Sequence, residues 1–404
     1  MAREETRKPL LKMVHRSSDG KSTWDALYTK EQAEIVRHFH RSLPVYKPTP
    51  LVKLDHLAEK LDVAEICIKD ESKRFGLNAF KGLGGSYCIA RYVADLLGKD
   101  IKDLVYTDLQ TPEVKEKLKD TVFVTATDGN HGRGIAWTAS LLGVRAIVYM
   151  PKGSSEERLN NIRALGAEAE ITSVNYDDTV RLAGETAEKL GGVLVQDTAW
   201  PGYETVPSWI MQGYMTMALE ASEQMSQAPT HIFLQAGVGA MSGALSGFFS
   251  DCWKRNKPVI TIVEPENADC IFRTAEADDD QLHNVTGDLK TIMAGLACGE
   301  PCTIGWDLIK AHADYFISAQ DCCAADGMRI LAAPLPGDES VVSGESGAAT
   351  FGAVTEILRR EELADIRREL GLNEKSRILC ISTEGDTDQE NYRRIVWDGA
   401  YSSL

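Results

Sequence analysis

The sequence predicts an α/β protein built from two doubly wound parallel sheets with a cleft between them. Three observations carry this expectation. Apolar runs of strand length alternate with stretches of helical length from about residue 66 onwards. The runs are apolar throughout rather than every second residue, as in strands covered on both faces. They fall at 66–68, 122–126, 144–150, 170–174, 193–195, 231–235, 259–263, 315–317 and 378–381, more strands than one sheet comfortably holds.

Taken in order, residues 1 to about 45 mix charged and aromatic side chains, and 30–40 read as an amphipathic helix. His38 and His40 are two apart and so do not share a helical face, which makes a poor metal pair. Pro48 and Pro50 impose an extended segment over 46–51, followed by a short helix through Leu54, Leu57 and Leu61. After the strand at 66–68 the chain runs Asp70-Glu71-Ser72-Lys73-Arg74-Phe75-Gly76-Leu77-Asn78-Ala79-Phe80-Lys81 and enters a helix rich in small residues. Gly82, Gly84 and Gly85 each cost that helix roughly 1 kcal/mol relative to alanine, a cost expected where something flat or bulky approaches the backbone. A lysine beside such a clearing could form a Schiff base with a carbonyl cofactor; the plain alternative is a solvated surface lysine. Residues 99–120 read as a surface insertion without an assigned role, and 276–280 as a solvated acidic loop. Helices are expected at 155–165, 178–190 and 209–225.

In folds of this kind ligands bind beyond the carboxyl ends of the strands, which directs attention to four loops. Thr125-Ala126-Thr127-Asp128-Gly129-Asn130-His131-Gly132-Arg133-Gly134 joins a strand to a helix and offers backbone N–H groups to an anion such as a substrate carboxylate. Asp128 would repel that anion, and so faces a substrate ammonium or simply caps the helix. Gln235-Ala236-Gly237-Val238-Gly239-Ala240-Met241-Ser242-Gly243 is a phosphate cradle by the same physics. It imitates a dinucleotide fingerprint, with Glu264 as the ribose acid, but its third glycine falls one place late. Ser343-Gly344-Glu345-Ser346-Gly347-Ala348 resembles a nucleophile elbow without the required final glycine or preceding strand, which argues against a serine hydrolase. Ser382-Thr383-Glu384-Gly385 ends the last strand with hydroxyls that could bond a ring nitrogen or cap a turn.

Composition narrows the class. The 404 residues are 26% charged and 43% apolar, the profile of a soluble enzyme. A net charge of −16 without a basic stripe argues against nucleic acid, and the absence of a long apolar run or secretory signal argues against a membrane and for the cytoplasm. The nine cysteines form no CxxC, so a disulfide framework and a zinc site are both unexpected, and no metal is assigned. Pairing of Cys270 with Cys298 is left open.

Together the motifs resemble the fold-type II pyridoxal-phosphate enzymes, the group of threonine and serine dehydratases, cysteine synthase and the tryptophan synthase β subunit. The likeness runs from about residue 45 to the C-terminus and is greatest to the diaminopropionate ammonia-lyases. It rests on Lys69–Lys81, on 127–134, on Gln196-Asp197-Thr198-Ala199-Trp200, on 293–301, and on 382–388. The resemblance implies pyridoxal 5'-phosphate as cofactor and a division into 1–81 with 206–404 as the larger, cofactor-binding domain and 82–205 as the smaller. Lys81 would carry the cofactor and move protons at the substrate Cα, with Phe80 beside it. Gly237, Val238, Gly239, Ala240 and Met241 would hold the phosphate, Asn130 the ring hydroxyl, and Thr383, with Ser382 next in line, the ring nitrogen; Gly344 and Glu345 complete the cofactor set. Thr127, Gly129 and His131 would bind substrate. Asp128, where simple dehydratases carry a small or hydroxyl residue, would take the Cα proton from the face opposite Lys81, and Asp197 would bind the β-ammonium or polarise its departure. The implied reaction is α,β-elimination of D- and L-2,3-diaminopropionate to pyruvate and two ammonia by a cytoplasmic homodimer. A serine, threonine or hydroxyaspartate dehydratase is the alternative, and an NAD-dependent oxidoreductase a remote one.

Overall fold

The structure, a computed structural model, describes residues 8–127 and 129–403. Eleven strands form two sheets: β1 (Leu11–His15), β2 (Leu51–Lys53), β3 (Glu65–Asp70), β4 (Val122–Ala126), β5 (Arg145–Met150), β6 (Glu168–Ile171), β7 (Val193–Leu194), β8 (His231–Gln235), β9 (Val259–Pro265), β10 (Tyr315–Ala319) and β11 (Arg377–Ser382). The larger sheet has the order β1-β10-β9-β8-β11-β3-β2 and the smaller β6-β5-β4-β7. The smaller sheet is parallel throughout. The larger is parallel except at its two edges, where β1 runs antiparallel to β10 and β2 antiparallel to β3.

All nine expected strands are present, with β6 starting and ending a few residues early. The two further strands are those antiparallel edges. Their residues are only partly buried, so they lack the apolar run that marks a covered parallel strand. Residues 99–120 also depart from expectation. They fold into short helices that bury Leu104, Leu109, Val114 and Leu118, so the segment adds core rather than only surface. No helix of the described residues is long and apolar enough to cross a membrane.

The glycines after Lys81 serve a purpose other than the expected clearing for a ligand. Helix Gly82–Leu97 crosses helix Thr205–Gln224 so closely that a Cβ on Gly213 would lie 2.5 Å from the Leu83 carbonyl oxygen. A Cβ on Gly84 would meet Tyr214 Cε1 at 2.5 Å, and one on Gly134 would lie 3.0 Å from the Lys81 carbonyl oxygen. The small residues let helices Gly82–Leu97, Thr205–Gln224 and Asn130–Leu142 approach at backbone distance, and that packing fixes the start of the helix that Lys81 precedes.

The loop before Lys81 is rooted in a buried ionic network. Arg74 donates to Glu71 through Nε (2.9 Å) and Nη2 (2.8 Å), and to Glu220 through Nη1 (3.0 Å) and Nη2 (2.8 Å). Lys69 donates to Glu220 Oε2 (2.9 Å), the Thr49 carbonyl (2.7 Å) and Gln224 Oε1 (2.8 Å). Burial alone would raise the Glu220 pKa, but the Arg74 and Lys69 charges outweigh it and hold the carboxyl at about 2.

Two consequences are measurable. Gly213→Ala forces a side chain onto backbone and is expected to cost about 1–3 kcal/mol in urea unfolding, with faster loss of bound cofactor because Leu83 and Lys81 move together. Glu220→Gln leaves two buried cations short of charge and is expected to cost about 3–5 kcal/mol. The Glu220 carboxyl is depressed in the folded state, so its contribution is full above the ordinary pKa of about 4.3 and is lost as pH falls towards 2. The variant's stability curve should therefore converge on that of the parent in acid, and parallel curves from pH 7 to 3 would contradict the assignment.

Candidate active site

Loops from the carboxyl ends of β3, β4, β7, β8 and β11 meet in one cleft, where ligands bind in folds of this kind. Lys81 stands at the N-terminal end of helix Gly82–Leu97. Its position is set by pairing between two loops distant in sequence. Phe80 N–H donates to the Thr383 carbonyl and Gly385 N–H to the Asn78 carbonyl, both at 3.0 Å. Asn78 and Phe75 take positive φ, 57° and 54°, to make the bend, local strain of the kind kept at functional sites.

Inside the cleft the Lys81 ammonium is bonded to the Asp197 carboxylate, which is almost fully buried. Burial would raise the Asp197 pKa, yet the His131 and Lys81 charges and the hydrogen bond from Lys81 bring it down to about 2. Burial lowers the His131 pKa, so the ring is neutral at pH 7 and Lys81 is the cation that matters there. His131 Nε2–H donates to the Val195 carbonyl at 2.8 Å, which leaves Nδ1 as the proton acceptor, 3.8 Å from Asp197 Oδ2. Gln196 and Tyr176 bond the other Asp197 oxygen at 3.3 and 3.4 Å.

The loop after β4 is shaped by Gly129, whose φ of +146° belongs to glycine, and Gly129 N–H donates to Thr127 Oγ1 at 2.9 Å. The Arg158 stem covers it, with Cδ 3.1 Å from where a Gly129 Cβ would sit, while the guanidinium reaches Thr387 Oγ1 (3.4 Å) and Glu345 Oε2 (4.0 Å). Asp128 lies outside the described residues. Asn130 and His131 open helix Asn130–Leu142, and Thr127, Asn130 and His131 line the cleft.

At the far end, residues 237–241 line the cleft and lead into helix Ala240–Cys252, whose first N–H groups have no carbonyl behind them. Gly239 makes the turn with φ +90°, its absent Cβ 3.1 Å from both Ile271 Cδ1 and Ile309 Cδ1. Thr383 lines the cleft, and its hydroxyl accepts from Gln235 Nε2 at 3.1 Å, so its own proton is left for another acceptor.

The structure thus brings Phe80, Lys81, Thr127, Asn130, His131, Asp197, 237–241 and Thr383 to one cleft. Gly129, Gly344, Glu345 and Ser382 do not line it. Ser382 Oγ bonds Ser343 Oγ at 2.8 Å. Glu345 is buried and bonds Asn391; burial and the neighbouring Glu384 raise its pKa to about 7. Sequence reasoning assigned no role to Gln235, Tyr176 or Glu384, all of which line the cleft. Glu384 lies within the quoted 382–388 motif, next to Thr383, and its place there was the available signal.

A family model described as pyridoxal-phosphate dependent enzyme matches residues 43–384. The chain is 56% identical over 366 residues to diaminopropionate ammonia-lyase of Salmonella typhimurium, covering 89% of this chain and 91% of the relative. It is 48% identical over 379 residues to the Escherichia coli K12 enzyme of the same name, covering 93% and 94%. The chain belongs to the pyridoxal-phosphate-dependent enzymes of the diaminopropionate ammonia-lyase family. The crystal structure of the Escherichia coli enzyme in complex with an aminoacrylate-PLP azomethine reaction intermediate superimposes with a TM-score of 0.89 at 45% identity, over 97% of this chain and 98% of that one. A threonine deaminase from Solanum lycopersicum shares the fold at 17% identity with a TM-score of 0.72.

The cofactor is pyridoxal 5'-phosphate, and the cleft fits it. The helix N-terminus behind 237–241 suits a phosphate, the spare Thr383 proton suits a ring nitrogen, and Lys81 suits a carbonyl. The buried Gln235 Oε1, which has no hydrogen-bond partner among the described residues, adds an acceptor at the cleft wall. Gly239→Ala puts a Cβ at positive φ between two isoleucines, so cofactor should dissociate about tenfold more readily, roughly the cost of backbone strain of 1–3 kcal/mol. Fluorescence titration of the apoprotein with pyridoxal phosphate measures this, and unchanged affinity would remove the phosphate role from the loop.

Proposed function

We propose that the enzyme eliminates both amino groups of 2,3-diaminopropionate, of D and L configuration, consuming one water and releasing pyruvate and two ammonia. One observation carries the reading: a buried carboxylate, Asp197, held ionised in the cleft beside Lys81. When Lys81 gives up its charge, to hold the cofactor or to act as a base at Cα, Asp197 needs another cation, and the β-ammonium of a diamine supplies it where the hydroxyl of serine or threonine cannot. The relatives at 48–56% identity support the same substrate.

In this reading the bound cofactor supplies a sink for the electron pair left when a proton departs from Cα. Lys81 takes that proton on its own face. Asp128 takes it from the opposite face for the other isomer, an assignment that rests on its place between Thr127 and Gly129. Asp197 holds the β-ammonium in line for departure, with His131 Nδ1 nearby to accept a proton. Thr383 donates its hydroxyl proton to the ring nitrogen and, being neutral, leaves that nitrogen largely unprotonated, which favours elimination over transamination. Residues 82–205 act as the smaller domain against 1–81 with 206–404. The reading includes a homodimer in the cytoplasm.

The purified protein should show a visible band that borohydride bleaches and that Lys81→Ala lacks; a colourless parent would sink the proposal. Diaminopropionate should be consumed faster than serine or threonine, and Asp197→Asn should lower kcat by roughly 10²–10⁴. Asp128→Asn should impair the D-isomer more than the L-isomer, and equal losses would remove the two-base scheme.

A further inference from the structure

Glu384 is nearly fully buried and lines the cleft. Its Oε2 accepts from Asn130 Nδ2 and from Thr387 Oγ1 (3.3 Å), and its Oε1 accepts from Ser346 N–H (3.1 Å), in the first turn of helix Glu345–Arg359. A carboxylate buried in this way is costly unless its oxygens are satisfied. Here three donors satisfy it, one of them at a helix N-terminus, where negative charge is favoured. The surrounding backbone leaves it little freedom. Gly344 N–H donates to the Glu384 carbonyl at 2.9 Å, Ala79 bridges to Glu384, and a Cβ on Gly344 would lie 3.1 Å from Glu384 Cγ.

The chemistry of the pair determines which way Asn130 faces. A carboxylate only accepts, so the side of the amide that meets Glu384 must be its NH2, and Asn130 Oδ1 is turned away. We propose that Glu384 is a positioning residue: it holds the Asn130 amide in one orientation and ties the substrate loop to helix Glu345–Arg359. This rests on the reading of Asn130 as a cofactor contact. Thr387 extends the tie, since it donates to Glu384 and accepts from Arg158, whose stem covers Gly129.

The test compares Glu384→Gln in the parent and in an Asn130→Ala background, measuring the visible absorption maximum of the bound cofactor and its dissociation constant in the absence of substrate. In the parent background Glu384→Gln should move the maximum and weaken cofactor binding roughly tenfold, the size of one lost hydrogen bond to a charged group. In the Asn130→Ala background the same change should have no further effect, because the group through which Glu384 acts is gone. Equal effects in both backgrounds, or an unchanged maximum and affinity in the parent, would overturn the proposal. If Glu384→Gln does not fold, Thr387→Val, which removes one donor from the same oxygen, is put through the same comparison with a smaller shift expected. These readouts need no substrate, so a failure to eliminate diaminopropionate would count against the proposed reaction and leave this result standing.

Discussion

The buried network of Lys69, Glu71, Arg74 and Glu220 is the constraint on which the catalytic cleft depends. Two cations and two carboxylates cancel in charge at a place closed to water, with Thr49 and Gln224 taking up remaining bonds. Such a cluster is weak evidence for stability, because apolar residues of the same volume would often do as well. It is directional, however, and apolar packing is not. It fixes the end of β3 against helix Thr205–Gln224, and the loop that carries Lys81 starts from that point.

From there the loop is held at its other end by the chain that follows β11. The backbone bonds between 78–80 and 383–385 bring Lys81 and Thr383 to the same cleft although about three hundred residues separate them. The same loop carries Glu384, which reaches Asn130 on the smaller sheet's side. Lys81, Thr383 and Asn130 are therefore positioned by one structural unit. The electrostatics follow: the cleft holds Asp197 ionised beside Lys81 and keeps His131 neutral, so it contains both a cation-binding group and a proton acceptor.

Much of the fold was legible because β4, β8, β9, β10 and β11, with 66–68 of β3, are covered on both faces and so are mostly apolar. The edges β1 and β2 were not, since an antiparallel edge strand needs only part of its surface buried. The cleft lining was legible where local backbone shape marks it, as at 237–241. It was illegible where a side chain's direction decides. Ser382 and Thr383 are adjacent hydroxyls in sequence, yet one faces Ser343 and the other the cleft, as alternate residues at a strand end must.

Gly82, Gly84 and Gly85 show where the division falls. Sequence alone said that something must approach the backbone there, because glycine in a helix is costly. Only the tertiary structure decided that the approaching groups are Leu77 and Phe75 at Gly82 and neighbouring helices at Gly84 and Gly85, rather than a ligand. The kinds of chemistry were determined by sequence: a lysine near glycines, an anion-binding loop, acids at 128 and 197, a hydroxyl after the last strand. Which of them face one another was decided by contacts between segments far apart in the chain, and no local pattern encodes such contacts. Glu384 is the plainest case, an acid of no evident purpose in its motif that the fold sets against the Asn130 amide.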